Sequence, residues 1–152
     1  MKEPAKPFSR SRRPEKEVRG TPMLKILIVD DEESMRRFYT RVFSGTGYSF
    51  TLAASLAEAR AFINAASYDM LITDLFLGDG HGTELIEFAR GKDAETKVII
   101  VSGAVGQPEL AEFSETYRLN GCFCKPFKIE ELLRAVKNGI APFGKISRTR
   151  SL

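Results

Sequence analysis

Residues 26–33 read ILIVDDEE, four apolar residues, three of them β-branched, running straight into four carboxylates. Adjacent acids repel one another, and a buried unpaired carboxylate costs several kcal/mol or loses its charge, by the order of ~2–7 kcal/mol set for unpaired polar groups. The segment therefore predicts a strand whose carboxyl end opens into a place where something positive is held. Residues 24–29 (LKILIV) and 97–101 (KVIIV) are short β-branched runs of the kind buried on both faces of a parallel sheet. Weaker strand patterns occupy 48–53 (YSFTLA), 69–73 (DMLIT) and 121–124 (GCFC).

Helical patterns lie between them. Met35, Phe38, Tyr39, Val42 and Phe43 recur at helical spacing, and Gly45 and Gly47 stop that helix. Ser55 and Glu58 have capping-box spacing ahead of Leu56, Ala59, Phe62 and Ile63. Further helices are predicted over 83–89, 108–119 and 129–140. Strands alternating with helices predict an α/β fold, a five-stranded parallel sheet doubly wound with helices on both faces. In such sheets sites form beyond the carboxyl ends of the strands. Those ends carry Asp30 and Asp31, then Asp74, then Ser102, then Lys125-Pro126, while the second strand ends in Ala53-Ala54 with no charge.

Carboxylates grouped without histidine suit a hard, oxygen-seeking cation, and Mg²⁺ (or Mn²⁺) binds through a few carboxylates plus water and phosphate oxygens. Lys125 adds a compact positive charge suited to a phosphoryl oxygen. Asp74 precedes the glycine-rich stretch LGDGHG, and a carboxylate there can act as a nucleophile towards phosphorus. Phosphoryl transfer to Asp74, with charge neutralised by the cation, Lys125 and the Ser102 hydroxyl, is the chemistry this set fits best.

The rest of the chain sets bounds. Its 152 residues, 43% hydrophobic and 28% charged, describe one globular domain with tails, and no apolar run is long enough to span a bilayer. Residues 1–22 and 143–152 carry +4 and +3, which leaves the middle at −4 within a net charge of +3. The N-terminal tail, with Pro at 4, 7, 14 and 22 and little apolar content, is expected to be disordered and solubilising. Nucleic-acid or membrane-surface contact through the basic tails is the competing reading. The basic, Pro-containing N-terminus carries no apolar stretch of the signal-peptide kind, so a cytoplasmic location is expected, and Cys122 and Cys124, two apart in an apolar segment, read as buried free thiols.

The acidic pair in VDDEE, Asp74 in LITDLFL, Ser102 in IIVSGA and Lys125 in CKPF, in that order on alternating strands, resemble a response-regulator receiver domain over residues 23–141. The resemblance implies a flavodoxin-like (βα)5 fold of the chemotaxis type, with strand order 2-1-3-4-5. It implies Asp74 as phosphoacceptor and Asp30, Asp31, Asp74 and the Phe76 backbone carbonyl as the Mg²⁺ ligands. Lys125 would contact the phosphoryl oxygens, Ser102 would move onto them, and the Lys125-Pro126 bond would be cis. The partners implied are a histidine kinase or histidine phosphotransfer protein and a downstream protein target, with the chain acting as a signalling switch rather than an enzyme. Tails of 1–22 and 142–152 would flank the domain, leaving output to protein–protein contact.

Three positions depart from the family pattern. Gly78 and His81 stand where Pro and Asp are usual, and Cys122 stands at the aromatic switch position, with Phe123 beside it. Cys122 and Phe123 are thus the switch candidates alongside Ser102. These departures keep a second reading in play, a receiver fold used as a phosphorylation-independent scaffold. An Asp-nucleophile phosphohydrolase fits less well, because Phe76 occupies the place of its second acid. Phe76 also predicts slow loss of phosphate, since its bulk hinders attacking water.

Overall fold

A computed structural model describes residues 23–139. The tails expected over 1–22 and 142–152, and the last two residues of the expected domain, lie outside the described residues. Five strands form one sheet: β1 (Lys25–Val29), β2 (Ser49–Ala53), β3 (Met70–Thr73), β4 (Lys97–Ser102) and β5 (Gly121–Cys124). Every pairing is parallel, and the order is β2-β1-β3-β4-β5. Five helices connect or follow the strands: α1 (Glu33–Phe43), α2 (Leu56–Ala65), α3 (Gly82–Lys92), α4 (Gln107–Tyr117) and α5 (Ile129–Gly139).

The β-branched runs become the central strands because strand alternation sends successive residues into two cores. Ile26 and Ile28 of β1 pack with Tyr39 and Phe43 of α1 and with Leu132 and Val136 of α5. Leu27 and Val29 pack on the other face, with Leu56 and Ala59 of α2, Leu85 and Ile86 of α3, and Leu110 of α4. All four residues are 0–1% exposed. Each such side chain contributes roughly 1.5–3 kcal/mol by burial, so β1 alone anchors both layers.

Helix ends follow the sequence signals with small shifts. Gly45 and Gly47 both adopt positive φ (85° and 91°) after α1, the left-handed region that glycine tolerates without strain. At α2 the Ser55 hydroxyl accepts from the Glu58 N–H (3.0 Å), while the Glu58 carboxylate accepts from Ala54 rather than from Ser55 itself (2.7 Å). Helix α4 ends earlier than the 108–119 expected, because Arg118 turns left-handed (φ 52°). Arg90 of α3 fastens that end, its guanidinium donating to the carbonyls of Tyr117, Arg118 and Thr96. Helix α3 runs three residues past the 83–89 pattern, to Lys92. The Lys125-Pro126 peptide is cis. Among the described residues no helix is long and apolar enough to cross a membrane.

A two-residue antiparallel hairpin, Phe76–Leu77 against Gly80–His81, stands apart from the sheet between β3 and α3. The sequence gives no strand signal there, since two residues are too few for periodicity to register.

Candidate functional site

The loops after β1, β3 and β5 bring Asp30, Asp31, Asp74 and Lys125 to one edge of the sheet. The strand ladder carries the first and third acids into place: Asp30 N–H donates to the Ala53 carbonyl and Asp74 N–H to the Val29 carbonyl, each at 3.1 Å. Lys125 N–H donates to the Ser102 carbonyl (2.9 Å), which extends the β4–β5 pairing to the lysine. Its side chain then runs over Gly103, where even a methyl group would lie in contact with the lysine stem.

The Lys125 Nζ donates to Asp30 Oδ2 and to Asp74 Oδ2, both at 3.0 Å, and lies 3.6 Å from Glu32 Oε1. Asp30 is fully buried, Asp74 is 9% exposed and Asp31 is exposed. The two neighbours in VDDEE thus have unlike surroundings. Asp30 Oδ1 accepts from the Glu32 N–H (3.0 Å), and Arg36 donates to the Asp30 carbonyl oxygen (2.9 Å). Burial pushes the Asp30 carboxyl above the usual carboxylate range, against the Glu32 N–H and Lys125, which pull it down. For Lys125, burial works against the charge, but the hydrogen bonds and charges of Asp74 and Asp30 outweigh it and hold the ammonium above the ordinary lysine value.

Oxygens of Asp30, Asp31 and Asp74 lie within 4.8 Å of one another. The Lys125 ammonium, in contact with Asp30 and Asp74, is one positive charge against the three carboxylates of this cluster, and the donors are all hard oxygens at a separation that a single divalent cation can bridge. The residues therefore fit Mg²⁺ or a similar ion. The Phe76 N–H donates to Asp74 Oδ1 (3.3 Å), which puts the first residue of the hairpin against the acid.

The main chain of Asp74 is held as firmly as its side chain. The Thr73 hydroxyl donates to the Asp74 carbonyl oxygen (2.9 Å), and the Gly82 N–H donates to the Leu75 carbonyl (2.7 Å). A side chain at position 82 would collide with the Asp74 carbonyl oxygen. Close backbone approach is the reason glycine stands there.

The switch candidates divide between the two faces of the sheet. Ser102 is fully buried, its hydroxyl accepting from the Ala104 N–H (3.2 Å), and it pairs in register with Cys124. Registered partners in a parallel ladder share a face, so Ser102, Cys122 and Cys124 look the same way. The thiols of Cys122 and Cys124 sit 3.6 Å from the carbonyls of Leu110 in α4 and Val105 in the β4–α4 loop. Burial pushes the Cys122 thiol above its ordinary value. Phe123 points through to the α1–α5 layer, against Phe127 (centroids 6.0 Å apart). The structure does not bring Phe123 to Ser102; the period of two along β5 keeps the sheet between them.

Sequence reasoning did not find Asp79. Its carboxylate accepts from the N–H groups of Leu56 (2.8 Å) and Ala57 (3.0 Å), clamping the hairpin loop to the start of α2. Those two bonds hold the carboxyl below its usual range. No local signal marks this partner, which lies more than twenty residues away. His81 lies at the start of α3, its ring edge-on to Phe76 at 5.1 Å.

The sequence model of the family described as Response regulator receiver domain matches residues 26–137. Sporulation initiation phosphotransferase F of Bacillus subtilis is 31% identical over 113 residues, 74% of this chain and 90% of that protein. The acid tolerance regulatory protein ActR of Sinorhizobium medicae is 34% identical over 82 residues, 54% of this chain, and the chain spans 42% of that protein's length. The crystal structure of chemotaxis response regulator CheY4 of Vibrio cholerae superposes with a TM-score of 0.70 at 26% identity, over 78% of this chain and 100% of that one. Since the matched span takes in the sheet from Ile26 onward together with the acids and the lysine at its edge, the chain belongs to the receiver domains of two-component response regulators.

Proposed function

We propose that the chain accepts a phosphoryl group on Asp74 from a phosphohistidine of a histidine kinase or phosphotransfer protein. The observation that carries this reading is the Lys125 ammonium held 3.0 Å from both Asp74 and Asp30 at the rim of a three-acid cluster. An Asp74 carboxylate oxygen attacks phosphorus, the P–N bond of the donor breaks, and the imidazole nitrogen leaves with the electron pair. Lys125 offsets the charge on the phosphoryl oxygens, and the Ser102 hydroxyl, one strand away on the same edge, supplies a donor to them. A divalent cation held by Asp30, Asp31, Asp74 and the Phe76 carbonyl would neutralise the negative charge that otherwise repels the incoming phosphoryl group. The chain's own part is positioning and charge, which is what this reaction requires.

Adding nearly two negative charges at Asp74 biases an equilibrium between two arrangements of the domain. The Cys122 and Cys124 contacts to α4 and the β4–α4 loop give that bias a route to a surface a downstream protein can read. Incubation with acetyl phosphate and Mg²⁺ followed by Phos-tag electrophoresis tests the proposal. A retarded band in the wild type that Asp74→Asn abolishes supports it, and identical mobility of the two proteins contradicts it.

A further inference from the structure

Resting on the reading of Asp74 as the phosphoacceptor, we propose that His81 is a positioning residue for that site: it holds the Phe76 ring beside Asp74 and so prolongs the life of the phosphate.

Phe76 and His81 are directly opposite in the antiparallel hairpin, so their side chains project from the same face of the ribbon. Their rings meet edge to face, centroids 5.1 Å apart at 69°, the arrangement in which the positive edge of one ring meets the negative face of the other. Phe76 is 43% exposed, a large apolar side chain two residues along the chain from Asp74. Its own N–H reaches Asp74 Oδ1 at 3.3 Å, so the ring springs from a backbone that touches the acceptor carboxylate. A ribbon of two residues per strand holds an exposed ring poorly by itself. This one is fixed around His81 instead. The His81 N–H donates to the Glu84 carboxylate (3.3 Å), the next residue Gly82 donates to Leu75, and Asp79 in the loop is clamped to α2.

Loss of the phosphate requires a water oxygen to add to phosphorus as the bond to Asp74 breaks, releasing inorganic phosphate and restoring the carboxylate. A ring held beside Asp74 occupies solvent space that this water must cross. A ring free to rotate away does not. His81 acts on the reaction through Phe76, and its backbone N–H bond to the Glu84 carboxylate survives any change of its side chain.

The test loads wild type, His81→Ala, His81→Tyr, Phe76→Ala and the double alanine variant with acetyl phosphate and Mg²⁺. The donor is then removed and the decay of phosphoprotein is followed on Phos-tag gels. His81→Ala is expected to lose phosphate roughly two- to tenfold faster than wild type, the factor set by one aromatic pair. His81→Tyr, which keeps an aromatic edge, restores the wild-type lifetime. Phe76→Ala decays fast, and the double variant decays no faster than Phe76→Ala alone. A His81→Ala lifetime equal to or longer than wild type overturns the inference, as does a His81→Tyr variant that fails to rescue, or additive effects in the double variant. Wild-type protein that takes no phosphate on Asp74 contradicts the functional reading and this inference together, whereas labelled proteins with equal lifetimes overturn this inference alone.

Discussion

Lys125 Nζ lies 3.0 Å from Asp74 Oδ2, although 51 residues separate the two along the chain. The contact exists because β3 and β5 both end at the same edge of a parallel sheet. The same ammonium is the partner of Asp30, which is fully buried. Replacement of Lys125 by Met removes the charge that faces the incoming phosphoryl oxygens. Phosphate uptake from acetyl phosphate should slow about 100-fold, the size of losing one preorganised donor to developing charge. Lys125→Arg should not restore it, since a planar fork cannot stand in for a compact ammonium between two carboxylates. Initial rates of phosphoprotein formation measure both.

Asp31 is the exposed member of the acid cluster, and on the proposed reading its charge serves a bound cation more than the fold. Asp31→Asn should weaken Mg²⁺ binding on the order of tenfold or more, as expected from removing one unit charge a few ångströms from a divalent ion. The metal-free melting temperature should stay near that of wild type. Calorimetric titration with Mg²⁺ gives the affinity. Wild-type melting should rise with Mg²⁺ by simple linkage, and that rise should shrink in the variant.

The Asp79 clamp makes a pH-dependent contribution to stability. Its carboxyl is held below the usual range by the Leu56 and Ala57 N–H groups, so the folded state prefers the ionised form. For a depressed value the contribution is present above the unfolded-state pKa and is lost as pH falls through the folded one. Asp79→Ala should therefore melt below wild type at neutral pH, with the gap closing in strong acid. Paired thermal melts across the acid range check this, and a gap that persists unchanged at the lowest pH would contradict it.

The fold was legible in ILIVDDEE and KVIIV because fully buried strands need β-branched side chains on both faces, and no surface segment resembles them. The acid–lysine set was legible for a related reason: strand ends in a parallel sheet converge, so the order of residues along the chain states which groups meet. Phe123 illustrates the limit. Adjacency in sequence suggested it as a substitute for Cys122, yet adjacency in a strand means opposite faces. Asp79 and the Phe76–His81 pair were hidden differently. Their partners are set by a short ribbon and a remote helix end, and a glycine-rich loop of mixed polarity carries no period from which to read them. Glu32 stands at the N-cap of α1, while its approach to Lys125 depends on the packing of β5 beside β4, which no local pattern shows.

The chemical identity of the acceptor is the central claim, and borohydride trapping reads it directly. Reduction of an aspartyl phosphate converts that residue to homoserine, which peptide mass analysis locates. After incubation with a phosphodonor and Mg²⁺, homoserine at position 74 and at no other aspartate is the predicted result. Homoserine at Asp30 or Asp31, or an unreduced Asp74 in protein that carries phosphate, would contradict the account.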